Sequence, residues 1–188
     1  MESSQLPALT PDEIDDVLYF TRANEGSELQ ETLSTLEGKY NRSIEEILRA
    51  SVDPASKNTV LHYCSANGLT DLLKTFLQQL GWDPTATHVV ENIEHYHGPE
   101  VCLLASANDQ GNTPLHWAAI NGHLEVVKLL VAAGVDLWRK NHAGHLALFE
   151  AERATKEEVA KFLLLAGGKE VESVGTQSQP TNEDLDDI

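Results

Sequence analysis

The chain repeats itself, and the spacing of the repeat limits what it can fold into. When the sequence is slid along itself, the segment beginning at Gly111 falls on the segment beginning at Gly144. Leu115 then lies on Leu148, Ala118 on Ala151, Glu125 on Glu158, Val126 on Val159, Leu130 on Leu163 and Gly134 on Gly167. Upstream, "NTVLHYCSANGLTDLLKTF" meets the same template, with Asn58, Thr59, His62 and Gly68 under Asn112, Thr113, His116 and Gly122. The offset there is longer than the one from Gly111 to Gly144, and the excess marks an insertion between those two units. A unit this short cannot bury its own apolar face, so successive units must stack.

Each unit reads as a helix pair. Thr113 caps a first helix, and Pro114 sits in the first turn, where no backbone donor is required. Leu115, Ala118 and Ala119 face the neighbouring helices, the alanines allowing close approach. Asn121-Gly122 ends the helix, glycine accepting a left-handed backbone. A second helix starts at about Leu124, with Val126, Val127, Leu129 and Leu130 as its apolar stripe, and Gly134 stops it. Residues 17–36 read as a degenerate first unit, with Leu18, Ala23, Gly26, Leu29 and Leu33 at helical spacing. "NRSIEEILRAS" reads as a short extra helix capped by Ser43. The expected organisation is an all-α solenoid of about four stacked helix pairs with hairpin-like connecting loops, spanning 1–168. Its approximate units are 15–50, 55–81, 109–136 and 142–168, with a long insertion at 82–104 between units two and three. Residues 169–188 have few aliphatic side chains and read as a disordered acidic tail.

Charge narrows the functions open to such an array. The formal net charge is −17. It concentrates at the ends: residues 1–50 hold 11 acids against 4 bases and residues 169–188 hold 6 against 1, while 109–168 hold 7 against 6. Acid in this excess disfavours direct contact with nucleic acid, whose phosphates reward Lys and Arg, and suits a basic partner. The two cysteines, Cys64 and Cys102, do not make a disulfide framework, which points to a reducing compartment. The first residues lack the pattern of a signal peptide, and no aliphatic run approaches the roughly 20 residues of a membrane span, so an intracellular, soluble protein with no membrane partner is expected.

Candidate chemistry is sparse. No serine, cysteine or carboxylate stands at a spacing that makes a triad with His62 or His116, and no phosphate-binding glycine loop is present. No catalytic residue and no cofactor is expected. His95-x-His97, with Glu94 or Cys102, invites a metal reading, but its spacing matches no zinc template, so no metal ligand is assigned. His88, His95 and His97 read instead as solvent-facing loop residues.

The step from Gly111 to Gly144, a period of about 33 residues, combines with Thr-Pro-Leu-His-x-Ala to resemble the ankyrin-repeat family. The motif is complete at Thr113–Ala118, has Val60 in place of proline at Thr59–His62, and keeps only its apolar positions at Leu146–Ala151. The resemblance implies that His62 and His116 hydrogen-bond locally and tie neighbouring turns together. It implies protein binding through the loop tips and the exposed side of the first helices. The positions this selects are Ala55, Ser56, Asn58, Tyr63 and Asn67 on the second unit. On the third they are Asp109, Gln110, Asn112, Trp117, Ile120 and Asn121, and on the fourth His142, Ala143, His145, Glu150 and Arg153. Tyr63, Trp117 and Glu150 are equivalent and form a row. Rings there suit a binding hot spot, and an acid beside them suits a Lys or Arg of the partner. The alternative is that Tyr63 and Trp117 pack against each other along the stack.

Within the family, Trp117 in "HWA", the segment Arg139–His145, the run Phe149–Glu152 and Lys156–Val159 resemble the small fungal ankyrin-repeat chaperones dedicated to small-subunit ribosomal protein number three. That resemblance implies a non-catalytic binding protein that shields the N-terminal region of a newly made basic ribosomal protein and accompanies it from cytoplasm to nucleus for assembly. The other readings are a general ankyrin adaptor or inhibitor of a kinase or transcription factor, and a metal-dependent activity on the inserted loop.

Overall fold

The computed structural model describes residues 6–82 and 103–175, with side chains described as far as residue 168. The helices among them are α1 (Pro11–Ala23), α2 (Gly26–Tyr40), α3 (Ile44–Ala50), α4 (Val60–Asn67), α5 (Thr70–Gln79), α6 (Pro114–Asn121), α7 (Leu124–Ala132), α8 (Ala147–Arg153) and α9 (Glu157–Gly175). A 3-10 turn spans Leu103–Ala105. Among the described residues there is no strand, only an isolated antiparallel bridge between Val52 and Thr59.

The helices pair as α1/α2, α4/α5, α6/α7 and α8/α9. The first helices of the pairs touch in the order α1, α4, α6, α8, and the second helices α5, α7 and α9 touch in the same order. The expected solenoid of four pairs is therefore present. Small residues explain how closely the first helices pack: Cys64, Ala118 and Ala151 are equivalent and all fully buried. Leu73, Phe76 and Leu77 of α5, Val126, Val127 and Leu130 of α7, and Val159 and Leu163 of α9 make the core beneath them. The extra helix α3 is present too, with Ser43 and Glu46 forming a reciprocal cap, and it packs on α2.

The first unit starts earlier than residue 15. Thr10 caps α1 at Pro11, and its backbone N–H donates to Glu13 Oε2 at 2.8 Å. Glu13 also receives Lys39 Nζ at 2.6 Å and Tyr40 Oη at 2.7 Å from the end of α2. Burial works against its charge, but the Lys39 contact and the Thr10 and Tyr40 bonds outweigh it and hold the carboxyl at about 2. A Thr-Pro-x-Glu cap thus fastens the two ends of the first pair together.

The far boundary moves as well. The backbone of α9 remains helical through Gly175, so residues 169–175 are not part of a disordered tail. "KEVES" contains good helix formers and no proline, and it continues a helix already nucleated by packing. Residues 176–188 lie outside the described residues. So does most of the insertion, including His88, Glu94, His95, His97 and Cys102; at its edges Trp82 is half-buried and Leu103 is buried.

One backbone device recurs in all four units. Asn24, Gly68, Gly122 and Thr155 each follow a first helix with positive φ, at 57°, 71°, 81° and 55°. The next residue's N–H returns to the carbonyl of Phe20, Cys64, Ala118 or Ala151 at 2.9–3.0 Å. Thr155 is β-branched, and the left-handed region costs such a residue about 1–2 kcal/mol. Glycine would cost about 0.5–1 kcal/mol more unfolded-state entropy. Thr155→Gly should therefore stabilise the chain by about 0.5–1 kcal/mol, read as a higher urea midpoint. A lower midpoint would show that the threonine side chain contributes more than its backbone strain costs.

Candidate functional site

The recurring turn sets the register of the first helices. Aligning Asn24, Gly68, Gly122 and Thr155 puts Tyr19, Tyr63, Trp117 and Glu150 at one place on α1, α4, α6 and α8. Tyr19 is not among the expected site residues, and it is the most open member of the row, 52% exposed. Its signal in the sequence is Asn24, which takes the backbone conformation that glycine takes in the second and third units. A search keyed on Thr-Pro-Leu-His passes over it.

The four members have different surroundings. Tyr63 is half-buried, and its hydroxyl donates to Asp53 Oδ2 at 3.0 Å. Burial first, then that bond, push its phenol above the usual value. Burial alone would raise Asp53, but the backbone N–H groups of Ala55 and Ser56 hold it below the usual carboxylate range. The guanidinium of Arg22 lies 5.1 Å from the centre of the Tyr63 ring. Tyr63 thus carries Arg22 on its face. Among the described residues the rings in contact are Tyr19 with Phe20 and His145 with Phe149, which leaves no support for Tyr63 packing against Trp117.

Trp117 is half-buried, and its indole N–H is shielded without an acceptor among the described residues. Such a donor is costly where it stands, about 1–3 kcal/mol, and it marks a place where packing alone does not satisfy the side chain.

Glu150 corrects the expectation of an acid offered to a partner. It is buried, 3% exposed, and its carboxylate is occupied inside the unit. Oε2 receives Arg153 Nε at 3.0 Å and Nη2 at 2.6 Å, and Oε1 receives Asn141 Nδ2 at 3.1 Å and lies 2.9 Å from His145 Nδ1. Burial would raise its pKa; His145, Arg153 and Asn141 together lower it.

The loop tips divide in the same way. Ala55, Asp109, Gln110, His142 and Ala143 are exposed, and Ser56 and Asn58 are half-buried. Their backbones are stitched together, Asp109 N–H to Ser56 O at 2.9 Å and His142 N–H to Gln110 O at 3.0 Å. Asn112, expected at the surface, is buried in an amide ladder. Asn108 Nδ2 donates to Asn58 Oδ1 at 3.0 Å, and Asn141 Nδ2 donates to Asn112 Oδ1 at 2.9 Å. Each loop thereby presents an acceptor that the next loop fills, which requires the side chains to turn inward. Asn67 and Asn121 are exposed at the ends of α4 and α6, Ile120 and His145 are half-buried, and Arg153 is exposed. Asn121 Nδ2 bonds back to the carbonyl of Trp117 at 2.9 Å.

His62 and His116 do what the family resemblance implies. His62 Nδ1 accepts from the Thr59 N–H at 3.2 Å and sits 2.9 Å from the Thr59 hydroxyl. Nε2 faces the carbonyl of Asn112 at 2.9 Å, and a carbonyl only accepts, so Nε2 carries the proton. His116 repeats this with Thr113 and the carbonyl of His145 at 3.1 Å. Burial pushes His62 down to about 4 and lowers His116 too. In the last unit Phe149 stands at the histidine position.

Neither histidine has a free nitrogen for acid–base work, and burial drives the thiol of Cys64 far from reactivity. Among the described residues no group of three or more His, Cys, Asp or Glu side chains converges as a metal site would require, and no helix is long and apolar enough to cross a membrane. A separate apolar pocket lies at the open end of the last unit, between Leu137, Trp138, Leu148 and Leu163.

The class this defines is a helical repeat scaffold whose first helices carry a row of rings beside a rim of loop tips. Comparison with known proteins agrees. A family described as ankyrin repeats (3 copies) matches residues 89–174. A probable E3 ubiquitin-protein ligase of Oryza sativa subsp. japonica, XBOS33, is 46% identical over 54 residues, which cover 29% of this chain and 10% of that protein. Human protein phosphatase 1 regulatory subunit 27 is 34% identical over 83 residues, 44% of this chain and 49% of that protein. The chain thus spans a tenth to about half of the length of these curated relatives. A crystal structure of the yeast ribosomal protein Rps3 in complex with its chaperone Yar1 matches with a TM-score of 0.66 at 30% identity. That match covers 84% of this chain and 94% of the chain it is compared with. The chain belongs to the ankyrin-repeat family: it is a protein-binding module whose architecture is similar to that of Yar1.

Proposed function

We propose that this protein is a dedicated chaperone of a newly made basic ribosomal protein of the small subunit, of the Rps3 type. In this reading it binds the N-terminal region of its client, keeps it soluble in the cytoplasm and accompanies it into the nucleus. The observation that carries the reading is the likeness to the Yar1 chain, which runs over nearly the whole array rather than over single repeats. The charge map supports it: the acid excess lies at the two ends, and α1 carries exposed Asp12, Asp15 and Asp16 beside Tyr19. A face of rings with acid at its edge suits a basic protein segment and repels nucleic acid.

The test is co-purification of the full chain followed by mass spectrometry. Recovery of one basic small-subunit ribosomal protein at equal stoichiometry is the expected result. A kinase, a transcription factor or another partner in its place would establish the adaptor reading instead. The complex should also weaken by at least tenfold between about 50 and 300 mM salt, because charged steering is screened within a Debye length of about 10 Å at 0.1 M. A dissociation constant indifferent to salt would remove the role given to the acidic ends.

A further inference from the structure

The position two residues before the recurring left-handed turn is Arg22, Ala66, Ile120 and Arg153 in the four units. The two arginines are held very differently. Arg153 makes two hydrogen bonds to the buried carboxylate of Glu150 in its own helix. Arg22 instead crosses from α1 to α4 and lies over the ring of Tyr63. Its charged partner is Asp15, at 3.6 Å, and both side chains are open to solvent, 43% and 77% exposed. An exposed pair at that distance contributes little. A single cation–ring contact at a partly open site is weak as well. Arg22 is therefore seated by chemistry that recognises a guanidinium, and it is held loosely enough to leave.

The seat itself is built. The Tyr63 hydroxyl is fixed by Asp53, whose other oxygen accepts from the backbone N–H groups of Ala55 at 2.8 Å and Ser56 at 3.2 Å. Donation to a carboxylate enriches the ring and strengthens its attraction for a cation. A planar guanidinium matches a ring face better than the compact ammonium of lysine does.

We propose that the face of Tyr63 is an arginine subsite of the binding face, that Arg22, paired with Asp15, occupies it in the free protein, and that an arginine of a basic client takes the seat by displacing Arg22. This rests on the reading that the face binds a basic protein. It adds which side chain of the client is recognised and names a residue of the chain itself that competes with it.

The experiment titrates nona-arginine and nona-lysine peptides into the full chain by calorimetry, for the wild type, Arg22→Gln, Tyr63→Leu and the double variant. Lys74→Gln, an exposed site on α5, controls for the loss of one positive charge. Arg22→Gln should tighten nona-arginine about two- to fivefold beyond the control, in keeping with one exposed cation–ring contact, and should tighten nona-lysine no more than the control does. In the Tyr63→Leu background the extra gain should vanish. Equal gains for the two peptides, no gain beyond Lys74→Gln, or a gain that persists without Tyr63 would each overturn the proposal. Arg22 is exposed, so the contrast between Arg22→Gln and Lys74→Gln decides the matter even if Tyr63→Leu fails to fold. A parallel titration with an Rps3-type client separates the two readings. An arginine preference in the peptides without client binding would overturn the proposed function and leave the subsite standing.

Discussion

Lowering the pH from 7.5 to 5.5 should remove about 1 kcal/mol of folding stability through His62 alone, and reaching pH 4 should remove about 3 kcal/mol. The sign follows from where the proton can go. In the folded chain His62 Nδ1 accepts from Thr59, and Nε2–H donates to Asn112, so the neutral ring satisfies both nitrogens. A second proton on Nδ1 would turn that acceptor into a donor facing another donor. Burial adds to this and holds the folded pKa at about 4, against 6.5 for the unfolded chain. The stability is therefore complete above about 6.5 and is lost as the pH falls toward 4, where the unfolded chain takes up a proton that the folded chain refuses. His116 is shifted in the same direction and steepens the loss. Urea melts across this range give the slope, and an NMR titration of the His62 ring gives its cause. A His62 resonance that titrates near its ordinary value in the folded protein would sink the account. Between about pH 7.5 and 5.5 most carboxylates remain charged, so that interval isolates the histidines.

Trp117→Ala should weaken client binding at least tenfold, about 1.4 kcal/mol or more, while helical circular dichroism stays unchanged. Trp117 stands in the middle of the row, with Tyr63 on one side and Glu150 on the other. Glu150 is closed off by Arg153, His145 and Asn141, and the seat at Tyr63 is taken by Arg22. Trp117 is the large ring between them, and its N–H has no acceptor among the described residues. A partner that packs on the row must use it. The structural cost of the substitution is moderated because it also removes that shielded donor. Unchanged affinity with a lowered urea midpoint would show that Trp117 serves the fold and not the client.

Much of the scaffold is legible in the sequence because its signals are local. The repeat period, the Thr caps at Thr59 and Thr113, the alanines at the helix contacts and Ser43 at the start of α3 all act within a turn or two of themselves. The ties made by His62 and His116 are legible for a related reason: the motif that carries them is nearly unchanged between the two units. What misleads is reliance on particular residue types at the ends of the array. A first unit is expected from about residue 15, yet Thr10-Pro11-x-Glu13 caps the helix with a glutamate in place of the histidine. Asn24 and Thr155 take left-handed conformations that a search for glycine does not find. The motif's histidine is kept in the second and third units and replaced in the first and fourth.

By itself the sequence determined that the chain is a stack of helix pairs, and which residues line up across the second, third and fourth of them. Periodicity carries that information, because equivalent residues must meet equivalent neighbours. Only the tertiary structure decided what each aligned residue is free to do. Glu150 and Asn112 look like surface groups in the sequence, and both are closed off through Asn141, which bonds to each of them. Tyr19 lies in a segment that reads only as a degenerate first unit, and it is the most open ring of the row. Arg22 looks like one cation in an acidic segment and lies on a tyrosine of the next unit. Whether a polar or aromatic side chain remains available depends on which neighbour the stacking delivers to it, and that is settled across units rather than within them.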